Sequence, residues 1–304
     1  MNRLSHPGSS HPRAFWRQGL AVPLLALLVA LTASGSAATL KKDIEYGSAG
    51  GMRLLLDASV PDGQGPFPVA ILIHGGGWGS GDKSGTDVPN SGADITPWFA
   101  PLTEANFTWF SINYRLAPAS RWPACFDDVQ TAIRWVKAHA AEFKGDPGRI
   151  VLFGHSAGGH LAFLSGVLSD EATRVQAVVG FAPVTDFEFD LQARGGLSTA
   201  LQNLLGRPKE ATPESLARLR EISPINRVRA GLPPFLILQG DADKTVPMQA
   251  TVNFRDKLVA AGNTCDFWVI PRAPHRLKPW IECDPTYPGR LVAWLRQKLG
   301  SGAN

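Results

Sequence analysis

Short apolar runs recur along the chain, and stretches of mixed polarity separate them. Continuous runs of this kind are typical of the central strands of a parallel sheet that is covered on both faces. The sequence around Leu54–Leu56, within residues 52–60, predicts an earlier strand in an antiparallel edge hairpin. The other predicted strands are Val69–Ile73, Phe107–Ile112, Ile150–Phe153, Val175–Phe181, Phe235–Leu238 and Phe267–Ile270.

Between these runs, apolar residues recur at spacings of three and four, which is the period of an amphipathic helix. Asp146–Gly148 predict a turn between the first long helix and the strand that follows it. The predicted helices cover residues 123–143, residues 248–261 and a last stretch marked by Leu291, Leu295 and Leu299.

Strands that alternate with helices of this length predict an α/β fold with a mostly parallel central sheet and helices on both faces. Residues 184–230 interrupt the alternation because they contain no strand-like run. We interpret them as a small helical cap over a site at the sheet edge. An ordinary long crossover between two strands is the alternative.

The N-terminal segment has the pattern of an export signal. Arginines at positions 3, 13 and 17 precede the apolar block 20–31, and small residues follow at 34–38. This order predicts a signal peptide over residues 1–38, cleaved after Ala38, and an α/β domain over residues 39–304. The protein is then secreted or periplasmic, without a stable membrane span after processing. An N-terminal membrane anchor is the alternative, although the block is short for a bilayer.

Charge narrows the classes of partner. The chain carries 30 Lys and Arg against 26 Asp and Glu, and the predicted leader holds three of the arginines and no acidic residue. The predicted mature chain is therefore nearly neutral. This balance gives no indication of nucleic-acid binding, so we expect none.

Three cysteines, Cys125, Cys265 and Cys283, lie beyond the predicted leader. A disulfide is chemically feasible because exported proteins meet an oxidising environment. We expect a Cys265–Cys283 bridge, since these two residues bracket a short segment that contains His275. Three free thiols are the alternative.

A glycine-rich pentapeptide, Gly154–Gly158, directly follows the strand-like run Ile150–Phe153 and precedes a helix-like stretch. The pattern Gly-x-Ser-x-Gly between a strand and a helix is typical of a nucleophile elbow, in which a sharp turn exposes the serine hydroxyl. Ser156 is therefore the candidate nucleophile. A glycine-rich turn without catalytic function is the alternative.

A second glycine-rich segment, His74–Trp78, directly follows the run Val69–Ile73. Backbone N–H groups stabilise the oxygen anion that forms when a serine attacks a carbonyl group. The candidate donors of this oxyanion hole are Gly75, Gly76 and Ala157, the residue after the nucleophile. A phosphate-binding loop is disfavoured because no Gly-Lys-Ser/Thr follows at the required spacing.

A general base is sought among the five histidines beyond the leader. His275 is favoured because it lies in a late loop, after the last predicted strand. His74 belongs to the glycine-rich segment, and His139 lies in a predicted helix. His155 and His160 flank Ser156, at positions expected to point elsewhere.

The acid that orients the base should lie between the serine and the histidine in the chain. Asp241 and Asp243 both follow the run Phe235–Leu238. We favour Asp243, with Asp241 stabilising the turn. Acyl transfer by these groups requires no metal or organic cofactor, and we expect none.

These motifs together resemble the α/β-hydrolase esterases of the bacterial feruloyl and acetyl-xylan esterase type, BD-FAE. This family is related to hormone-sensitive lipase and bacterial acetyl esterases. In it, the acid stands at the fourth position of Gly-x-x-Asp-x-x-Val-Pro, which here is Asp243. The resemblance covers most of residues 45–299, and its marks are His74–Trp78 with Gly81–Lys83, Asn113–Pro118, Trp122–Ala124 with Asp127–Val129, and Gly154–His160.

The resemblance implies a carboxylic ester hydrolase with a Ser-His-Asp triad that acts on short acyl esters. Acetyl or feruloyl groups on plant polysaccharide are the expected substrates, because export suits a polymer that cannot enter the cell. Four tryptophans are expected either to stack on sugar rings near the site or to lie in the core. They are Trp78, Trp98, Trp122 and Trp280.

His155 marks a departure from the hormone-sensitive-lipase branch, which usually has Asp at this position. A histidine beside the nucleophile, together with His-Gly-Gly-x-Trp, also resembles kynurenine formamidase, an intracellular enzyme. The predicted leader argues against that alternative. An amidase or peptidase on the same fold is a further alternative. A non-catalytic binding module is remote, since Ser156, Asp243 and His275 are all present.

Overall fold

The computed structural model describes residues 38–85 and 95–300, and the predicted leader lies outside them except for Ala38, which opens the first strand. Within these residues the chain forms one sheet of eight strands, in the order β1-β2-β4-β3-β5-β6-β7-β8. The strands are β1 (Ala38–Ala49), β2 (Met52–Pro61), β3 (Phe67–Ile73), β4 (Thr108–Ile112), β5 (Gly145–His155), β6 (Ala177–Phe181), β7 (Phe235–Gly240) and β8 (Cys265–Ile270).

The helices alternate with the strands from β3 onward. They are α1 (Phe99–Glu104), α2 (Ala124–His139), α3 (Ala157–Leu168), α4 (Phe187–Arg194), α5 (Thr199–Leu205), α6 (Pro213–Ile222), α7 (Met248–Ala260), α8 (Trp280–Cys283) and α9 (Tyr287–Leu299). None of the described helices is long and apolar enough to cross a bilayer.

The predicted fold class is confirmed. β1 and β2 form an antiparallel hairpin at one edge, β2 pairs antiparallel with β4, and all later pairings are parallel. β1 was not predicted because most of its side chains are exposed, so it lacks an apolar run. Its partner β2, which is buried over most of its length, carried the signal for the hairpin.

Two apolar cores cover the two faces of the sheet. In β5, Ile150 and Leu152 belong to one core, whereas Val151 and Phe153 belong to the other, as expected for side chains that alternate along a strand. Helices α2, α3 and α7 pack on the first face. Helices α1, α8 and α9 pack on the second. The sheet is therefore covered on both faces, and the candidate site residues lie in the loops at the ends of its strands.

The predicted turn at Asp146–Gly148 is wrong as a break between elements. These residues belong to β5, where the pairing with β3 passes from Phe67 opposite Gly145 to Val69 opposite Ile150. The extra residues form a bulge, in which the Asp146 carboxylate accepts a hydrogen bond from the Gly148 N–H at 2.8 Å. These residues thus form a local turn within β5 and do not separate two elements.

The segment 184–230 contains three α-helices, α4 to α6, a short 3-10 helix at Pro224–Arg227, and no strand. Side chains of Asp186, Ser198 and Thr212 cap their N-termini. The segment contacts loops at the sheet edge, since the backbone N–H of Trp122 donates to the Leu204 carbonyl at 2.9 Å. The Arg194 side chain donates to the carbonyl of Thr245. Its role as a cap stays a prediction.

The predicted Cys265–Cys283 disulfide is wrong, because both residues are free thiols, as is Cys125. Cys265 opens β8 and packs against the core that contains α2, α3 and α7, whereas Cys283 packs against the core on the opposite face. The sheet separates the two side chains. Closeness in sequence was misleading here, because β8 and α8 diverge from a common loop.

Candidate active site

Ser156 lies in a sharp turn between β5 and α3, with φ 54° and ψ −117°. A non-glycine residue in this region is strained by on the order of 1–3 kcal/mol. The glycines on either side let strand and helix cross closely. A Cβ on Gly154 would lie 2.2 Å from the Gly158 carbonyl oxygen, and one on Gly158 would lie 2.2 Å from that of Ile73. The local structure is the elbow that the pentapeptide predicts.

A chain of hydrogen bonds joins Ser156 to the two other predicted residues. His275 Nε2 lies 2.9 Å from Ser156 Oγ, and His275 Nδ1 lies 2.9 Å from Asp243 Oδ2. Since an ionised carboxylate only accepts, Nδ1 carries the proton and Nε2 is free to accept from the serine hydroxyl. The structure thus brings together three residues from the loops after β5, β7 and β8.

The Asp243 side chain is fully buried. Its oxygens accept from His275, from the amide of Gln239 at 3.0 Å and from the backbone N–H groups of Thr245 and Val246 at 2.7 and 3.1 Å. Burial alone would raise the pKa of this carboxyl. The hydrogen bond and charge of His275, with the two N–H groups, hold its pKa below the ordinary value. Asp243 is therefore ionised at neutral pH.

Asp241, the competing acid, has a different environment. It is exposed, and its Oδ1 accepts from the backbone N–H of Arg272. This bond links the loop after β7 to the loop after β8. Asp241 therefore links the two loops, whereas the sequence had suggested that it stabilises its own turn.

The glycine-rich loop after β3 lies against the elbow. A Cβ on Gly75 would lie 3.4 Å from Ser156 Cβ, and Gly76 has φ 96°, which favours glycine. The Gly76 carbonyl accepts from the N–H of Gly79 and of Ser80, both at 3.1 Å. Within residues 38–85 and 95–300, the amides of Gly75, Gly76 and Ala157 donate to no backbone carbonyl. They remain the candidate donors of the oxyanion hole.

Tyr114 supports this loop from below. Its hydroxyl lies 3.0 and 3.1 Å from the carbonyl oxygens of His74 and Gly75, and its ring stacks on the His74 ring with centroids 4.4 Å apart. The sequence indicated no role for Tyr114. Its place in the segment Asn113–Pro118, one of the marks of the resemblance, was the only signal.

His160 ties the same loop to the inserted helices. Trp78 Nε1 donates to His160 Nδ1 at 3.2 Å, and His160 Nε2 donates to the Ile222 carbonyl at 2.9 Å. Complete burial lowers the pKa of His160 to about 4, so the ring is neutral at physiological pH. This network joins α3, the glycine-rich loop and α6.

Ser156 opens into a cleft of about 580 Å³. Its described lining combines small residues with polar ones and includes the exposed side chains of Lys244 and Arg276, although most of the lining surface is apolar. The lining residues are Gly76, Gly77, Ser80, Ser156, Ala242, Lys244, Thr245, Pro274, His275 and Arg276.

The four tryptophans considered for sugar stacking are not on this surface. Trp78, Trp98 and Trp280 are buried, so the stacking alternative is wrong for them and they belong to the core. Trp122 is half-buried and stacks on Phe126, with centroids 5.5 Å apart. In the part of the chain that the structure describes, no group of three or more His, Cys, Asp or Glu could hold a metal ion.

A family model described as BD-FAE matches residues 56–258, two thirds of the chain. The chain belongs to the BD-FAE family. The match contains Ser156 and Asp243 and ends before His275, which the geometry above adds to the site. The resemblance that the motifs indicated is therefore confirmed, and the fold of this BD-FAE member is that of the α/β-hydrolases.

Two relatives from Mycobacterium tuberculosis (strain ATCC 25618 / H37Rv) are similar to this BD-FAE member. The probable carboxylic ester hydrolase LipM is 34% identical over 71% of this chain and 51% of its own length. The esterase LipC is 32% identical over 69% of this chain and 53% of its own length. The chain thus spans about half the length of these relatives.

A solved structure, described as a truncated form of a carbohydrate esterase from gut microbiota, is also similar to this BD-FAE member. It is 27% identical, with a TM-score of 0.73, and the match covers 88% of this chain and 98% of that one. The match therefore covers most of this chain and nearly all of the solved structure.

Proposed function

We propose that this protein is a carboxylic ester hydrolase in which Ser156, His275 and Asp243 form the catalytic triad. The observation that carries the proposal is the pair of 2.9 Å contacts from Ser156 Oγ through His275 to the buried Asp243. The names of the relatives, esterase and carboxylic ester hydrolase, support the reaction class.

In the proposed acylation step, Ser156 Oγ attacks the carbonyl carbon of the ester while His275 Nε2 takes the hydroxyl proton. The carbonyl oxygen becomes an anion and accepts hydrogen bonds from the amides of Gly75, Gly76 and Ala157. The bond from carbon to the alcohol oxygen then breaks. His275 returns its proton to that oxygen, and the acyl group remains on Ser156.

Water completes the cycle. His275 Nε2 takes a proton from a water molecule, whose oxygen attacks the acyl carbon, and the proton then passes to Ser156 Oγ as the acid leaves. Asp243 acts throughout by holding the imidazole tautomer and stabilising its protonated form. Its buried, ionised carboxylate with the Thr245 and Val246 N–H groups supports this role.

The test of the mechanism is Ser156→Ala with p-nitrophenyl acetate. We expect kcat to fall by about 10⁴-fold or more, as for other triads that lose the nucleophile. A fluorophosphonate probe should label wild-type Ser156 and leave the variant unlabelled. Retention of most activity by the variant, or an unlabelled wild-type protein, would favour a binding module or another reaction centre.

We further propose that the substrates are short acyl esters, with acetyl or feruloyl esters of plant polysaccharide as the class. The described lining of the cleft contains no large aliphatic or aromatic side chain, which supports a short acyl group. The similar carbohydrate esterase supports a sugar alcohol. A panel of acetylated xylan, methyl ferulate and p-nitrophenyl esters of rising length tests both parts. Highest kcat/KM on a long-chain ester would contradict the assignment.

Because His155 lies beside the nucleophile, one alternative substrate class, an amide, is also tested. This residue and the His-Gly-Gly-x-Trp loop are the features similar to kynurenine formamidase, so an aryl formamide is included. Preference for the formamide over every ester would favour amide hydrolysis by the same triad.

We propose export to the periplasm or the medium through residues 1–38, on the sequence pattern alone. N-terminal sequencing of the protein recovered from the periplasm or medium tests it, with residue 39 as the expected start. Recovery of the uncleaved chain in the membrane fraction would favour the anchor.

A further inference from the structure

His155, the residue before the nucleophile, lies fully buried beneath the candidate site. Its Nε2 lies 2.8 Å from the backbone carbonyl oxygen of His275, so Nε2 carries a proton and donates it to that carbonyl. The two imidazole rings also contact each other, with centroids 4.9 Å apart. The last residue of β5 thus holds the main chain of the candidate base.

The other side of the His155 ring faces the glycine-rich loop. A Cβ on Gly75 would lie 2.9 Å from His155 Nδ1, so the absence of a side chain at this position lets ring and loop meet. His155 is therefore in contact with both the segment that carries the oxyanion donors and the segment that carries the base. The two segments come from opposite ends of the domain sequence.

The loop of His275 needs such an anchor because it has little regular structure. Between β8 and α8 the chain runs through turns, and two consecutive carbonyls accept hydrogen bonds from buried rings. The Pro274 carbonyl accepts from Trp280 Nε1 at 2.7 Å, and the His275 carbonyl accepts from His155 Nε2. A buried donor is effective here because water cannot replace it.

We propose that His155 is a positioning residue, which fixes the main chain of His275 so that Nε2 stays in reach of Ser156 Oγ. The proposal rests on the proposed function of the triad. It assigns His155 no contact with the reacting atoms. Its effect is on the rate of the chemical steps, because a displacement of about 1 Å in a reacting group can reduce the rate by ~100-fold.

Three substitutions of His155 distinguish the effect of its hydrogen bond from the effect of its volume. His155→Gln places an amide N–H at about the reach of Nε2, whereas His155→Asn has the same amide on a shorter side chain that cannot reach the carbonyl. His155→Met fills similar volume without a donor. The matched control is His139→Met, which removes another ring contact to a carbonyl, that of Trp135 at 2.8 Å, away from the cleft.

The measurements are kcat and KM on p-nitrophenyl acetate, the rate of fluorophosphonate labelling at Ser156, and thermal unfolding of each variant. We expect His155→Met and His155→Asn to lower kcat and the labelling rate by about 100-fold with little change in KM, and His155→Gln to keep most of both. His139→Met should match the wild type. If His155→Met does not fold, the comparison of Asn with Gln carries the test.

The proposal would be overturned if the Asn and Met variants kept the wild-type kcat and differed only in a lower unfolding temperature. His155 would then contribute to stability alone. Equal loss in Gln, Asn and Met would also overturn it, because donation would then not be the cause. A wild-type protein that neither hydrolyses esters nor labels would instead refute the triad itself, and the role of His155 with it. The three results are distinct.

Discussion

The nucleophile and the base of the candidate site are held by different kinds of structure. Ser156 lies at the junction of β5 and α3, where the backbone itself sets its position and glycines allow the tight crossing. His275 lies in a loop, where side chains from other elements hold it: Asp243 through the ring and His155 through the carbonyl. The first arrangement is local in sequence, and the second joins residues more than 30 positions apart.

This difference explains which parts of the site could be recognised in the sequence. A local arrangement leaves a short motif, so the elbow was visible as five consecutive residues. A long-range arrangement leaves only isolated polar residues, whose partners appear once the chain is folded. Substitution of the elbow glycines should therefore impair folding, whereas substitution of the groups that hold the base should lower the rate.

After Ser156→Ala, the largest expected effect is on the base side. Asp243→Asn removes the charge that holds the His275 tautomer while keeping the shape of the side chain. We expect kcat on p-nitrophenyl acetate to fall by about 10⁴-fold, as in other triads with this change. Asp241→Asn is the matched control, since it lies two residues away and is exposed. Comparable losses in both variants would mean that the turn, not the triad contact, sets the rate.

On the elbow side, Gly158→Ala should prevent or severely weaken folding. Its Cβ would lie 2.2 and 2.3 Å from the carbonyl oxygens of Ile73 and His74, which are backbone atoms that cannot move aside. We expect a loss of about 3 kcal/mol or more in the free energy of unfolding, measured with urea. Gly289→Ala, in α9 with open space around it, should be neutral or stabilising by up to about 1 kcal/mol. Similar stability of the two variants would contradict the crossing argument.

The His160 network combines features of both regions. Like the base, it depends on a side chain, but that side chain anchors the glycine-rich loop beside the elbow. The pKa of His160 is about 4 in the fold and lower than in the unfolded chain. The unfolded state therefore binds the extra proton between pH 6.5 and 4, and stability falls as pH decreases through that window. The expected loss is up to about 3 kcal/mol by pH 4.

His160→Gln retains polar groups for Trp78 and Ile222 but does not titrate in this range. Urea unfolding of wild type and variant at pH 7 and pH 4.5 measures the difference. The wild type should lose more stability than the variant on acidification. An identical pH dependence would show that other groups carry the acid sensitivity.

The smallest expected effect concerns Ser80, which donates from its hydroxyl to the Gly76 carbonyl at 3.0 Å. That carbonyl still accepts from the N–H of Gly79 and of Ser80 after Ser80→Ala. We expect kcat/KM to fall only a few-fold, consistent with about 1 kcal/mol for one such bond. A loss of 100-fold would mean that the Ser80 hydroxyl, and not only the two backbone N–H groups, is needed to hold the Gly76 carbonyl in place.

Much of the fold was predictable because a two-faced parallel sheet imposes apolar runs on its strands. The runs at β3, β5 and β7 are examples. β1 lacked such a run because it is an exposed edge strand whose pairing comes from β2. The prediction of a turn at Asp146–Gly148 was wrong because the residue types that form turns also occur in strand bulges, and these residues form a bulge in β5.

Ser156, Asp243 and His275 could be selected from motif and chain order, whereas their supports could not. Tyr114 donates to backbone carbonyls that are distant in the sequence, and Trp280 donates to a carbonyl in an irregular loop. Hydrogen bonds of these kinds leave no periodic pattern in the sequence. The expected disulfide failed for the opposite reason. Cys265 and Cys283 are near in sequence, but the sheet lies between their side chains.

The anchoring of His275 has a consequence for the order of events during folding. Its ring and carbonyl are held by residues from β5 and from the loop after β7, and the neighbouring Pro274 carbonyl is held by α8. These contacts close only when β8 and the C-terminal helices have docked onto the sheet. During refolding, the proposed activity should therefore return with the last cooperative unit to form, later than the far-ultraviolet circular dichroism signal of the sheet and its helices.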